Sequence, residues 1–254
     1  MSVFGGRDRH NTGVGLFSMI TDSYSRTARL MPALLVALPV SLTAIAAVPV
    51  AASWWGRVSG LIIASGVPVL VTQVVRDRGR RAQEALFESW GGPPTTAFLR
   101  WSGPESKRIV ARRHELLARL TDSRLPDERA ETLDPVAADE EYAMATTALR
   151  ELTRSDQFPL VLKENISYGF RRNLFGCREL GIGGALVAAA AVGLLEFTNM
   201  RLPTSGLGVL LAFDALSCIV WWRIVTADWV RRAAEFYASR LLDSLEALAS
   251  ERNQ

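Results

Sequence analysis

Apolar residues are gathered into long runs. Between Leu30 and Val75 the only formally charged residue is Arg57, and from Leu180 to Trp222 the charges are Glu196, Arg201 and Asp214. A bilayer core about 30 Å thick takes about 20 apolar residues in helical form. The stretches 30–52, 58–75, 180–197 and 203–225 approach or exceed that length, so four transmembrane helices are predicted, arranged as two hairpins. The first run is too long for the apolar core of a signal peptide, and 29 polar-leaning residues precede it.

The segment between the hairpins, 76–179, holds most of the charge, and its periodicity is helical. Residues 76–90 read as the second span continued into water, broken by Gly91-Gly92-Pro93-Pro94. Ser102-Gly103-Pro104-Glu105 has the spacing of a capping box. Behind it Ile109, Arg113, Leu116, Leu117 and Leu120 share a helix face. Asp134-Pro135 starts a second helix, with proline at its first position and Tyr142, Ala145, Leu149 and Leu152 along one side. A third carries Leu162, Ile166, Phe170 and Leu174 toward the third span. The acidic stretch from Asp127 to Glu141 reads as a solvated loop and a first helical turn, where carboxylates are favoured. After the fourth span, Val230, Ala234, Tyr237, Leu241, Leu245 and Leu248 trace a stripe, with an Arg231–Glu235 pair beside it. That helix is expected to pack on protein, since its polar face mixes both signs.

The predicted fold is therefore all-α and polytopic. It comprises a cytoplasmic N-terminal segment 1–29, a hairpin 30–75, a cytoplasmic helical domain 76–179, a second hairpin 180–225 and a cytoplasmic amphipathic helix 226–254. Charge sets the orientation. Only Lys107 and Lys163 are lysines among 29 basic residues, and the arginines cluster before the first span, at 76–81, at 171–178 and after the fourth. The positive-inside rule puts both termini and the central domain in the cytoplasm. Trp54 and Trp55 then fall in the outer aromatic belt, Trp221 and Trp222 in the inner one. A net charge of +3 in 254 residues does not by itself imply nucleic-acid binding. Cys177 and Cys218 form no framework, and His10 and His114 no metal cluster, so neither a cofactor nor an enzymatic activity is expected.

Three places carry candidate chemistry. The run Trp90-Gly91-Gly92-Pro93-Pro94-Thr95-Thr96, with Arg100 one turn on, admits two readings. One is a structural turn capped by Thr95 or Thr96. The other is an anion site of close-approaching glycines, free amides, a guanidinium and a stacking Trp90. Arg171 and Arg172, beside Asn173 and just before the third span, suit lipid phosphates or an anionic cytoplasmic ligand. Asp214 in the fourth span must face protein or water, either as a hydrogen-bonded packing residue or as a pore-lining one. The small residues of the third span favour close helix contact, and four short helices leave a conduit only if several subunits assemble.

The W-G-G-x-P-T-T-x-x-L-R stretch at 90–100 and the Y-G-F-R-R-N stretch at 168–173 resemble those of a bacterial family of four-span membrane proteins. Through it the chain is similar to the membrane effectors paired with nucleotidyltransferases in antiviral systems of the Hailong type. That resemblance implies a homo-oligomeric channel in the bacterial inner membrane, gated by a nucleotide or short oligonucleotide supplied by the nucleotidyltransferase, whose opening depolarises the infected cell. Trp90, Gly91, Gly92, Thr95, Thr96, Arg100, Arg171, Arg172 and Asn173 are then the expected ligand contacts, and Asp214 the pore residue. The competing expectation is a membrane-anchored interaction protein without a pore.

Overall fold

The computed structural model describes residues 25–47, 67–154, 157–197 and 204–252. These are helical throughout their regular structure, with no strand among them. A π-helical turn, Ser25–Leu30, leads into α1 (Met31–Ala47). There follow α2 (Val67–Trp90), α3 (Pro94–Ala97), α4 (Lys107–Thr121), α5 (Glu128–Leu133), α6 (Pro135–Leu152), α7 (Pro159–Gly176), α8 (Arg178–Phe197), α9 (Thr204–Arg223) and α10 (Ala227–Glu251).

Three of the described helical stretches are long and apolar enough to cross a membrane: Arg26–Ala46, Arg178–Phe197 and Gly206–Arg223. They fit a multi-pass membrane protein. The first half of the second predicted span, 58–66, lies outside the described residues, as do Trp54 and Trp55. The end of that span opens α2, which runs without a break from apolar Val67 into the charged segment after Arg76.

In the apolar group α8 packs against both α1 and α9. Its inner face is Gly181, Ala185, Ala188 and Val192, while Leu186, Val187 and Leu194 point outward. Association within a bilayer draws on van der Waals contact, and small side chains allow it. The Trp221 ring lies where a Cβ on Gly181 would be, 2.1 Å from its nearest atom. Trp221 is thus a buried packing residue, correcting its assignment to the aromatic belt, and Trp222 is 61% exposed. Arg178 donates to the Trp221 and Trp222 carbonyls at 3.1 and 3.0 Å. It thereby neutralises the negative end of α9.

On the polar side α7 lies between α2 and α10. Its crossing with α2 brings backbones into contact at Gly79 and Gly176. A Cβ on Gly176 would lie 2.6 Å from the Arg78 carbonyl, and one on Gly79 2.9 Å from the Asn173 Cα. Arg78 completes the junction by donating to the Gly176 carbonyl at 3.2 Å. The remaining helices build a core around Leu99, Leu116, Leu117, Tyr142, Leu149 and Leu241. Every predicted stripe residue of α10 is buried or partly buried, so this helix packs on the polar domain as its mixed charge implied.

Several local expectations are corrected. Ser106, not Ser102, precedes α4, without a side-chain cap; Ser102 bonds to Glu131 and Glu105 pairs with Arg113 instead of forming a capping box. Val110 is buried where Ile109 was expected, the latter being 42% exposed, and Leu152 and Leu162 are also exposed. The Asp134-Pro135 start is present, Asp134 accepting from the Ala137 amide at 3.0 Å. The acidic loop contains a short helix, α5, capped by Asp127.

Candidate functional site

Where α2, α3, α6, α7 and α10 meet, they enclose a cavity of about 630 Å³, within the usual range for small-molecule sites. From α2 come Arg80, Gln83, Glu84 and Phe87; from α3 and the residue before it, Pro93, Pro94, Thr95 and Thr96. Thr146, Thr147, Arg150 and Glu151 of α6, with Thr153 and Arg154 beyond it, form another wall. Tyr168 and Arg172 of α7 and Tyr237 of α10 complete it. The two sequence motifs, more than seventy positions apart, therefore contribute to one site through Thr95, Thr96, Tyr168 and Arg172.

The lining carries four guanidiniums against two carboxylates. Arg154 pairs with Glu151 at 3.1 Å. The exposed side chains of Arg80 and Arg150 have no hydrogen bond or ion pair among the described residues. Arg172 donates to neutral oxygens only: to Gln83 Oε1 at 2.8 Å, and to Asn173 Oδ1 at 3.2 and 3.0 Å through Nε and Nη2. Its guanidinium also lies 5.9 Å from the Tyr168 ring centroid. Thr95 and Thr96 are 4% and 2% exposed. Their hydroxyls have no partner among the described residues, and neither oxygen is among the fully sealed, unsatisfied polar atoms. Cationic forks, donor hydroxyls and aromatic walls suit a compact anion with an apolar or planar part.

The other expected ligand contacts are structural. Gly91 donates to the Glu88 carbonyl at 3.2 Å and Gly92 to that of Phe87 at 2.8 Å, the paired bonds of a Schellman motif closing α2. Gly91 at φ 73° and Gly92 at φ 122° supply left-handed geometry that side chains with a Cβ resist. The glycines are thus a helix stop, not an anion loop. Trp90 packs beside Phe87 and does not line the cavity. Pro93 is the N-cap of α3, with no side-chain bond, so neither threonine caps it. Arg100 grips Asp139 with Nε at 2.8 Å and Nη2 at 2.5 Å, and reaches the Gly91 carbonyl at 2.7 Å. It ties the turn to α6, with Nε and Nη2 committed and only Nη1 left uncommitted.

Arg171 donates to the Trp229 carbonyl at 3.1 Å and lies 4.9 Å from that ring's centroid, so it fastens α7 to α10. Asn173 is fully buried; its Nδ2 donates to the Ala28 carbonyl in the turn before α1, at 2.6 Å. Asp214 is 2% exposed and neither carboxylate oxygen has a hydrogen-bond partner among the described residues. It does not line the apolar cavity of about 200 Å³ formed by side chains of α1 and α9.

Sequence reasoning missed Arg80, Gln83 and Arg150, which carry no local motif. It also missed Glu131, the one acidic residue of its stretch that is buried. Glu131 Oε1 accepts from the Ser102 amide and hydroxyl at 3.0 and 2.7 Å, and Oε2 from the Trp101 amide and Tyr142 hydroxyl at 2.8 Å each. His114, its neighbour in this cluster, donates Nε2–H to the Leu99 carbonyl at 2.7 Å. Compared with protein families, curated proteins and solved structures, the chain matches none.

Proposed function

We propose that this chain is the subunit of a homo-oligomeric membrane channel, gated by an anionic ligand bound in the cavity between α2, α3, α6, α7 and α10. The carrying observation is that the helices walling the cavity run directly into the apolar ones. α7 is separated from α8 by Cys177 alone, and α10 follows α9 after residues 224–226. α2 begins with residues of the predicted second span. A ligand that favours one spacing of α2, α7 and α10 thereby favours one arrangement of the inner helix ends. It shifts the gating equilibrium by its differential affinity for the two states.

In this reading the chain crosses the bacterial inner membrane four times, with both termini cytoplasmic. Arginines at the polar ends of the apolar helices support that orientation. A nucleotide or short oligonucleotide, supplied by a partner nucleotidyltransferase, is the ligand, and an antiviral membrane depolarisation is the output. The sequence resemblance supports those last two statements. Asp214 lines the conduit. An intramembrane carboxylate costs about 2.5–3.5 kcal/mol on insertion scales; a neighbouring subunit, water or a passing ion would offset that.

Ion flux from liposomes holding the full chain tests the proposal. Nucleotides and short oligonucleotides are supplied to the side bearing the polar domain, and Asp214→Asn is run in parallel. Ligand-dependent flux altered by the substitution is expected. Flux that no ligand switches on or off, or that ignores the substitution, overturns it. A second reading, an anchored scaffold, draws on Leu133, Val136 and Met144, exposed by 77, 70 and 57% on α5 and α6. A soluble partner captured by the chain and lost on polar replacement of these residues, with no flux, would favour it.

A further inference from the structure

We infer that Arg172 is the transmitter of the cavity: an anion bound there draws its guanidinium away from Asn173 and so releases the turn that anchors α1. This rests on the cavity being a receptor and adds how occupancy is relayed.

Arg172 is placed to serve two masters. Its side chain lines the cavity, yet all its hydrogen bonds go to neutral amide oxygens of Gln83 and Asn173. Charge-assisted bonds to an oxyanion are about twice as strong as neutral ones, so an anion held by Arg80 and Arg150 competes well for the fork. The Asn173 oxygen has no other donor among the described residues, and it is pressed against Gly79 inside the α2–α7 crossing. A buried amide oxygen stripped of its donors is costly. The Asn173 side chain then has reason to reorient. Its nitrogen end holds the Ala28 carbonyl at 2.6 Å, so reorientation frees the π-helical turn Ser25–Leu30. π-helical turns often mark functional sites, and this one leads directly into the first apolar helix. The chain of contacts thus runs from cavity to membrane helix through one arginine and one asparagine.

Amide hydrogen exchange on the full chain in phosphatidylcholine nanodiscs tests this, with inorganic tripolyphosphate as probe and its binding measured by calorimetry. Binding should speed exchange at residues 25–30 about tenfold, a local opening rather than global unfolding. Asn173→Ala should show that fast exchange without the probe, still bind it, and respond no further. Arg172→Gln should likewise be fast and unresponsive. Binding without any change at 25–30 in the parent chain overturns the relay while leaving the receptor reading intact. Absence of binding removes the receptor reading. In that case slow exchange in both variants separately overturns the Asn173 clamp. A parallel set of nanodiscs containing phosphatidylglycerol, without tripolyphosphate, identifies the source of the anion. Opening seen there alone assigns it to a lipid headgroup and overturns a soluble ligand.

Discussion

Replacing Glu131 by Gln removes a charge and little else, which makes its cost calculable. The carboxylate receives four donors, two at each oxygen, and two of these are backbone amides. A glutamine must turn its NH2 toward one of those pairs. The hydroxyl of that pair can rotate to accept; the backbone N–H cannot, and is left buried without an acceptor. That orphan costs about 1–3 kcal/mol, and the surviving bonds, no longer charge-assisted, lose about 1 kcal/mol more. A loss of about 3 kcal/mol is expected for the polar domain, enough to lower its melting by at least about 10 °C.

The pH dependence gives a second reading of the same experiment. Burial disfavours the Glu131 carboxylate, but its hydrogen bonds together outweigh that and hold it below the usual carboxylate value. Its stabilisation is therefore complete above about pH 4.3, the ordinary glutamate value, and is lost as the pH falls below it. His114 is displaced chiefly by burial, downward. The unfolded chain takes up that proton below about pH 6.5 while the folded chain refuses it, so stability also declines there on acidification. The parent should lose stability in two stages as acid is added. Glu131→Gln should keep the upper one and lose most of the lower, the remainder coming from Glu246, which its bond to Arg112 also holds below the ordinary value. Tryptophan fluorescence during thermal unfolding in detergent, repeated across pH, measures both. A variant that melts with the parent and keeps the whole of the lower stage would show that the carboxylate is not holding Trp101, Ser102 and Tyr142.

Arg100→Gln should destabilise by about 1–3 kcal/mol through loss of Asp139 and the Gly91 carbonyl, yet leave tripolyphosphate affinity within about twofold; a larger loss of binding would return Arg100 to the ligand site. Arg150→Gln should do the reverse, weakening tripolyphosphate about tenfold with an unchanged melting curve. Gly176→Ala, a change that favours a helix by about 1 kcal/mol elsewhere, should here lower the melting temperature, because the new Cβ would meet the Arg78 backbone at 2.6 Å. Asp214→Leu should leave thermal stability equal or raised by about 1–3 kcal/mol, since it removes a buried carboxylate with no hydrogen-bond partner among the described residues. A marked fall would reveal a bond to that carboxylate.

Length and local pattern are properties of contiguous residues, and those features of the fold were legible in the chain. The apolar runs mark helices able to cross a bilayer because hydrocarbon thickness fixes a residue count. The Asp134-Pro135 start and the stripe of α10 follow from bonds within one turn or from a repeat of 3.6 residues. Which arginines hold the molecule together and which remain for a ligand is not local. Arg100 is spent on an aspartate 39 positions away, and Asn173 on a carbonyl 145 positions away. Arg80 and Arg150, unremarkable in sequence and exposed, are brought to the rim of one cavity only because helices distant in the chain converge there. A guanidinium's role depends on the acceptor that folding brings beside it, and only the packed structure chooses that acceptor.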